Sequence, residues 1–149
     1  MTFTWQTLED NIINGRTYLD FQRKDEIQNK YYEAREYVKK LNFRQYSDFI
    51  KIKHLSYNSI VKKDGVIVSR KVQSSLPYMF VENEYPYCFD DENIKHYLIW
   101  SLKPLDYSDI YSIVKNSNVQ HVDWTWFVNT TAKKSVKDLW HCHIFLKME

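Results

Sequence analysis

The stretch Leu139-Trp140-His141-Cys142-His143-Ile144-Phe145-Leu146 decides how this chain is read. Successive side chains of a strand point to opposite faces, so Trp140, Cys142, Ile144 and Leu146 share one side. Leu139, His141, His143 and Phe145 share the other. The first side is apolar and predicts a core face. The second sets two imidazoles at i, i+2, and imidazole acts near neutral pH as nucleophile, base or metal ligand. A chemical site, if the protein has one, is expected there.

Working outward, His121 to Asn129 reads as a strand with Val122, Trp124, Trp126 and Val128 on one face, and His96 to Ser101 reads as another, ended by Pro104. Between them, Asp106 is placed to cap a helix with Asp109 three residues on. Tyr107, Ile110, Tyr111 and Val114 follow at helical spacing. Upstream, Asp64-Gly65 lies between two β-branched runs and predicts a type I′ hairpin over residues 57–73. Tyr78-Met79-Phe80-Val81 begins a further extended segment after Pro77.

The front of the chain is helical in pattern. Thr7 is the expected cap of a first helix carrying Leu8, Ile12 and Leu19, with Gly15 a weak point inside it. Ile27, Tyr31, Ala34, Val38 and Leu41 form the core stripe of a second helix, and Asn42 to Leu55 holds a further short helix or turn. His54 stands there without partners nearby. The order of elements predicts an α+β fold, an antiparallel sheet covered on one face by helices with the other face left for a ligand. Its 149 residues suit one domain, 1–149, with a helical front end (1–55) packed on a sheet portion (56–149).

Composition narrows the function class. Aromatics reach 17% with only two glycines and three prolines, a packed globular balance far from disorder. No apolar run reaches membrane-spanning length and no leader pattern is present, so a soluble, cytoplasmic protein without membrane contact is expected. Cys88 and Cys142 are too few for a disulfide scaffold or a thiolate zinc cage and read as buried free thiols. The net charge of +2 makes no case for nucleic acid by itself, although basic residues outnumber acidic ones in the first half and the reverse holds in the second. Oligomeric state is left open.

Two resemblances follow from particular residues. Asn83-Glu84-Tyr85-Pro86-Tyr87, Ile94 to Trp100, Phe127-Val128-Asn129, Lys133-Lys134-Ser135 and Leu139 to His143 resemble the fungal GlcNAc-induced protein family, a domain family of unknown function whose name points toward amino-sugar metabolism. That match covers nearly the whole chain. His96-Tyr97-Leu98-Ile99, then Val128-Asn129, then His141-Cys142-His143-Ile144 is also similar to the histidine-triad (HIT) fold of nucleotide hydrolases and nucleotidylyl transferases. That resemblance implies His143 as nucleophile and His141 as its neighbour. It also implies Asn129 as a ribose or phosphate contact and His96 as an orienting residue. Phe145 stands where the triad has its third histidine, and the usual phosphate-binding glycines are absent from Thr130 to Lys134.

The candidate site therefore holds His143 and His141 as catalytic groups, with Asn129, His96, Lys133, Lys134 and Trp126 as ligand contacts. Lys133 and Lys134 would supply donors for developing charge, and Trp126 a stacking surface. The expected ligand is a nucleotide or nucleotide sugar, with hydrolase or nucleotidyl transferase activity through the His pair. Two other readings compete. One is a non-catalytic binding module using the same face. The other is a divalent metal on His141, His143 and His96, or with Glu84 or His121 as third ligand. No organic cofactor is predicted.

Overall fold

The computed structural model describes residues 3–130, 136 and 138–149. Among them, a four-stranded antiparallel sheet is joined by two small hairpins and four helices, an α+β fold as expected. None of these helices is long and apolar enough to cross a membrane.

Helix α1 (Trp5–Asn11) opens one turn before the expected cap. Thr4 is the N-cap, its hydroxyl accepting from the Thr7 amide at 3.1 Å, and this start buries both Trp5 and Leu8. The helix ends early because Asn14 and Gly15 take φ of 50° and 73°. They turn β1 (Ile12–Ile13) back onto β2 (Arg16–Thr17), with Ile13 opposite Arg16. Asn-Gly is the pair a tight hairpin turn prefers, so Gly15 is a turn residue and not a flaw in a helix. The hairpin lies along the central sheet, where the Val128 amide donates to the Gly15 carbonyl at 2.9 Å. The Trp126 ring occupies the space where a Gly15 side chain would stand. Gly15→Ala therefore combines an unfavourable φ with a collision against an indole, and we expect it to cost about 2 kcal/mol, read as a lower midpoint in urea unfolding.

Helices α2 (Asp25–Lys39) and α3 (Tyr46–His54) follow. The predicted α2 stripe faces inward, but only Val38 is buried, because α2 lies over other elements at its edge instead of inside the core. Strands β3 (Asn58–Val61) and β4 (Ile67–Arg70) pair as the expected hairpin, with Val61 opposite Ile67. Its turn differs from the expected type. Gly65 alone has positive φ (85°), and its amide donates to the Lys62 carbonyl at 2.8 Å. That is a type I turn followed by a left-handed glycine, the three-residue solution. Asp48 ties α3 to this hairpin. Fully buried, it accepts from the Ser69 amide (2.9 Å), the Ser69 hydroxyl (2.6 Å) and the Arg44 guanidinium (2.8 and 3.1 Å).

The central sheet runs β5 (Tyr78–Glu82), β6 (Ile94–Ser101), β8 (Trp140–Lys147), β7 (Asp123–Phe127). Helix α4 (Tyr107–Asn116) starts on the predicted Asp106–Asp109 capping box. Its Ile110 and Val114 pack with Ile99, Cys142, Ile144 and Leu146 on one face of the sheet. The opposite face is covered as well. Trp5 and Leu8 of α1 meet Phe127 and Phe145, while Ile50 of α3 and Leu55 meet Trp100 and Leu139. Helices thus lie on both faces, where the sequence suggested one, and the histidine face is roofed.

Candidate functional site

The last strand alternates as its sequence requires. Cys142, Ile144 and Leu146 enter the α4 core, and His141, His143 and Phe145 point to the other side. Register then assembles the site. His143 stands opposite Leu98 on β6 and Phe127 on β7, His141 opposite Trp100, and Phe145 opposite His96. His96 is accordingly a diagonal neighbour of His143 across the β6–β8 ladder. The two rings meet with Nε2 of His96 2.8 Å from Nδ1 of His143.

Neither histidine of the terminal strand is open to solvent. His96, His141 and His143 are 2%, 3% and 4% exposed, so the surface pair expected from sequence is instead a buried group under a roof of α1, α3 and the β5–β6 connection. Tyr87, in that connection, lies against His96 and His143 with ring centroids 4.6 and 5.4 Å away, and Phe127 stacks on His143 from the other side at 4.8 Å. Burial holds both His96 and His143 well below the usual imidazole pKa, and the nearby Arg23 charge acts in the same direction. For His143 the neighbouring His96 and His141 add to the effect. Both rings are neutral at pH 7.

Two donors reach His96: the Asn83 Nδ2 lies 3.5 Å from its Nδ1 and 3.4 Å from its Nε2, and a main-chain amide decides between the two nitrogens. The Tyr87 backbone amide points at Nδ1 of His96 at 3.2 Å, so that nitrogen accepts. In a neutral ring the proton then sits on Nε2, which donates to Nδ1 of His143. His143 Nε2 lies 3.1 Å from Nδ2 of Asn129. The Tyr87 hydroxyl also bonds Asn129, and burial raises its pKa despite Arg23 and that bond. His141 is oriented differently: its Nδ1 lies 3.4 Å from the Leu139 carbonyl, a long hydrogen bond that requires the proton on Nδ1.

A cleft opens above His141 and His143, with Trp100 and Leu98 in its floor and Tyr31, Arg35, Tyr46 and Lys53 among its walls. The Arg23 guanidinium sits 4.3 Å from the Tyr31 ring centre and 5.3 Å from Tyr87, and it donates to the Tyr85 carbonyl at 2.6 Å. Arg35 lies 3.9 Å over Tyr46, whose pKa burial raises while Arg35 opposes. Lys53 pairs with Glu84 at the rim. His54, read as isolated, stacks parallel to Trp100 in the same cleft at 6.2 Å. Trp100 Nε1 is a buried donor with no hydrogen-bond partner among the described residues.

Of the residues singled out from sequence, the fold brings together His143, His141, His96 and Asn129. Trp126 does not join them. It packs on the α4 face against Gly15 and near Tyr107, lining a separate shallow groove that Asn129 also borders. Lys133 and Lys134 lie outside the described residues. His121 stays at the start of β7, bonded to the Val119 carbonyl. Among the described residues no three His, Cys, Asp or Glu side chains are grouped to hold an ion. The 2.8 Å separation of the His96 and His143 nitrogens is a hydrogen bond, shorter than the roughly 3.3 Å that two ligands 2.0 Å from one tetrahedral ion would keep. Cys88 and Cys142 are free thiols, and burial pushes the Cys142 thiol far up.

Sequence reasoning missed Tyr87, Arg23, Arg35 and Trp100. Tyr87 was quoted within a motif, but nothing in its neighbours shows that its backbone amide, and not its ring, would set the His96 tautomer. Arg23 and Arg35 sit twelve positions apart, one just before α2 and one within it, and only the packing of α2 beside α3 places both at one cleft.

Comparison with known proteins adds the lineage. The crystal structure of HTC1 is similar, with a TM-score of 0.64 and 17% identity over 99% of this chain and 86% of that one, a likeness of fold. No curated protein matches. A family model described as protein of unknown function (DUF3605) matches residues 4–147. With all but the ends of its sequence covered, the chain belongs to the DUF3605 family.

Proposed function

We propose that the cleft above His141 and His143 binds a phosphorylated small molecule, a nucleotide or nucleotide sugar, and that the histidines give it phosphohydrolase or nucleotidyl transferase capability. One observation carries this reading: Arg23 and Arg35 are held over tyrosine rings at a cleft floored by imidazoles. A guanidinium fits phosphate oxygens in pairs, and a ring-stacked one loses less freedom on binding. The strand–helix–strand–strand order β6-α4-β7-β8, ending in His-x-His, supports a histidine-triad plan. The resemblance to the GlcNAc-induced family makes amino-sugar nucleotides the first ligands to try. The burial of His96 and His143 and their bond to each other favour a second reading, a non-catalytic binding module on the same face.

A thermal-shift screen tests both. The probes are ATP, UDP, UDP-glucose, UDP-N-acetylglucosamine, glucosamine, inorganic phosphate and divalent cations. A ligand at a hundred times its Kd stabilises the native state by about 2.7 kcal/mol, roughly 5–10 °C at this chain length. Arg35→Ala should remove most of that shift while moving the melting temperature of the unliganded protein little. Absence of a shift with every phosphorylated probe would refute the proposal.

A further inference from the structure

We infer that His54, stacked on Trp100, is the histidine by which this cleft meets its phosphorylated ligand, while His143 is held as part of the floor. The inference rests on the cleft being a site for a phosphorylated molecule, and it names the imidazole that serves that site.

Helix α3 turns one face to the cleft. Tyr46, Phe49, Ile50, Lys53 and His54 fall at i, i+3, i+4, i+7 and i+8, the spacing of a single helical face, and all five line it. Ile50 is buried in the cluster that holds Trp100. One turn on, the same face carries His54 to the same indole, with the two rings 11° from parallel and their centroids 6.2 Å apart. As the last residue of the helix His54 stays half-buried, whereas the histidines of the sheet are closed off.

A histidine contacts a ligand through a ring nitrogen that no other group holds. Nδ1 of His143 lies 2.8 Å from His96 and its Nε2 3.1 Å from Asn129, so both are taken. At His96, Nε2 faces His143, Nδ1 faces the Tyr87 amide, and Asn83 reaches both. His141 is 3% exposed, its Nδ1 bonds the Leu139 carbonyl, and it is not free of other partners. His54 differs. Among the described residues it makes no hydrogen bond, and its surroundings are the Trp100 ring and the charges of Lys53 and Glu84, which pair with each other. Burial, then Lys53, holds its pKa below the usual imidazole value, with Glu84 opposing. At pH 7 the ring is neutral, with one N–H to donate and one lone pair to offer.

The indole against it is also unmet. Trp100 is 6% exposed, and its Nε1–H is a buried donor without an acceptor among the described residues. Such a donor is costly to bury and marks a missing partner. Two neighbouring rings, each with an N–H to give, at a cleft that also holds Arg23 and Lys53, suit an acceptor that carries negative charge. Phosphate oxygens accept from both rings, and their charge draws the imidazole toward protonation, which strengthens its bond. This departs from the histidine-triad resemblance, which sets His143 at phosphorus.

Acylation of the full chain by diethyl pyrocarbonate at neutral pH, mapped by mass spectrometry, reads which imidazoles are free. His54 should react before His96, His141 and His143. Reaction of His141 or His143 as early as His54 overturns the inference. With ATP or UDP-glucose at saturation, whichever stabilises the protein, acylation of His54 should slow by about tenfold or more. An unchanged rate overturns the inference. His54→Phe keeps a ring against Trp100 and removes both nitrogens. It should leave the melting temperature of the unliganded protein nearly unchanged and weaken the same probe about tenfold, the loss of one hydrogen bond to a charged group. Undiminished affinity overturns the inference. If no phosphorylated probe binds, the reading of the cleft is refuted and this inference with it; if a probe binds while His54 is neither shielded nor needed, this inference alone is refuted.

Discussion

Asp48→Ala is expected to lower the unfolding free energy by about 3–4 kcal/mol, the largest single-residue loss we foresee outside the apolar core. The carboxylate is fully buried and receives four hydrogen bonds, two from Ser69 and two from Arg44. Truncation leaves the Ser69 amide and hydroxyl without their acceptor in a site closed to water, and hydrogen bonds to a charged group contribute more than neutral ones. Arg44 is half exposed and recovers solvation, which keeps the loss below that of a wholly buried ion pair. At this chain length the melting temperature should fall by roughly 6–15 °C. Asp48→Asn, which keeps one acceptor oxygen and the shape, should lose less than half as much. Near-equal melting of Asp48→Ala and wild type would show that α3 and the β3–β4 hairpin are held by packing alone.

Acidification should destabilise the protein steeply from about pH 6.5 downward, before most carboxylates respond. Burial holds His96 and His143 below the usual imidazole range, so in the folded protein they stay neutral where unfolded imidazoles have already taken a proton. Throughout that interval the unfolded chain binds more protons, and stability rises with pH. The contribution is complete above the unfolded pKa and disappears as pH falls toward the folded values. Each such group adds about 1.4 kcal/mol per pH unit, so the pair adds up to about 2.7 kcal/mol per unit. His54 is shifted the same way by burial, then Lys53, with Glu84 opposing. Asp48 works in a separate, lower window. Burial pushes its pKa up, but the Ser69 and Arg44 bonds outweigh it and leave the pKa lowered, so its contribution is lost only at more acidic pH. Urea titrations between pH 7 and 5 should show the slope, and His96→Gln, which keeps a donor for His143, should roughly halve it. A flat profile would mean that the pair is charged or solvated in the folded state.

The parts of this fold that were legible in sequence are those fixed by local period. Trp140, Cys142, Ile144 and Leu146 face α4 as their alternation requires, and the Asp106–Asp109 box starts α4 at its predicted residue. Turns were read less well. Asn14-Gly15 carries the same signal as Asp64-Gly65, but it was absorbed into a helix because Leu8 and Ile12 happen to be four apart. At Asp64-Gly65 the hairpin was right and the turn type was not, since only Gly65 adopts positive φ. The site shows the same division. That His141 and His143 share a face follows from two-residue periodicity, and Asn129 and His96 join them through sheet register. Their burial could not be read, because it depends on α1, α3 and Tyr87 folding across a face that the sequence left open. Nor could the His96 tautomer, which hangs on the Tyr87 main-chain amide.

The placement of β8 has a bearing on how the molecule is built in time. β6 and β7 share no ladder and are bridged only by β8, which follows both in the chain. A ribosome therefore delivers the two flanking members before the piece that joins them, and until residues 140–147 emerge the edge that each turns toward β8 stays unmatched. Assembly then draws together segments far apart in the chain, the kind of pairing that folds slowly and leaves strand edges available to chaperones or to neighbouring chains in the interval. His141 and His143, beneath the cleft, thus belong to the strand that finishes the fold.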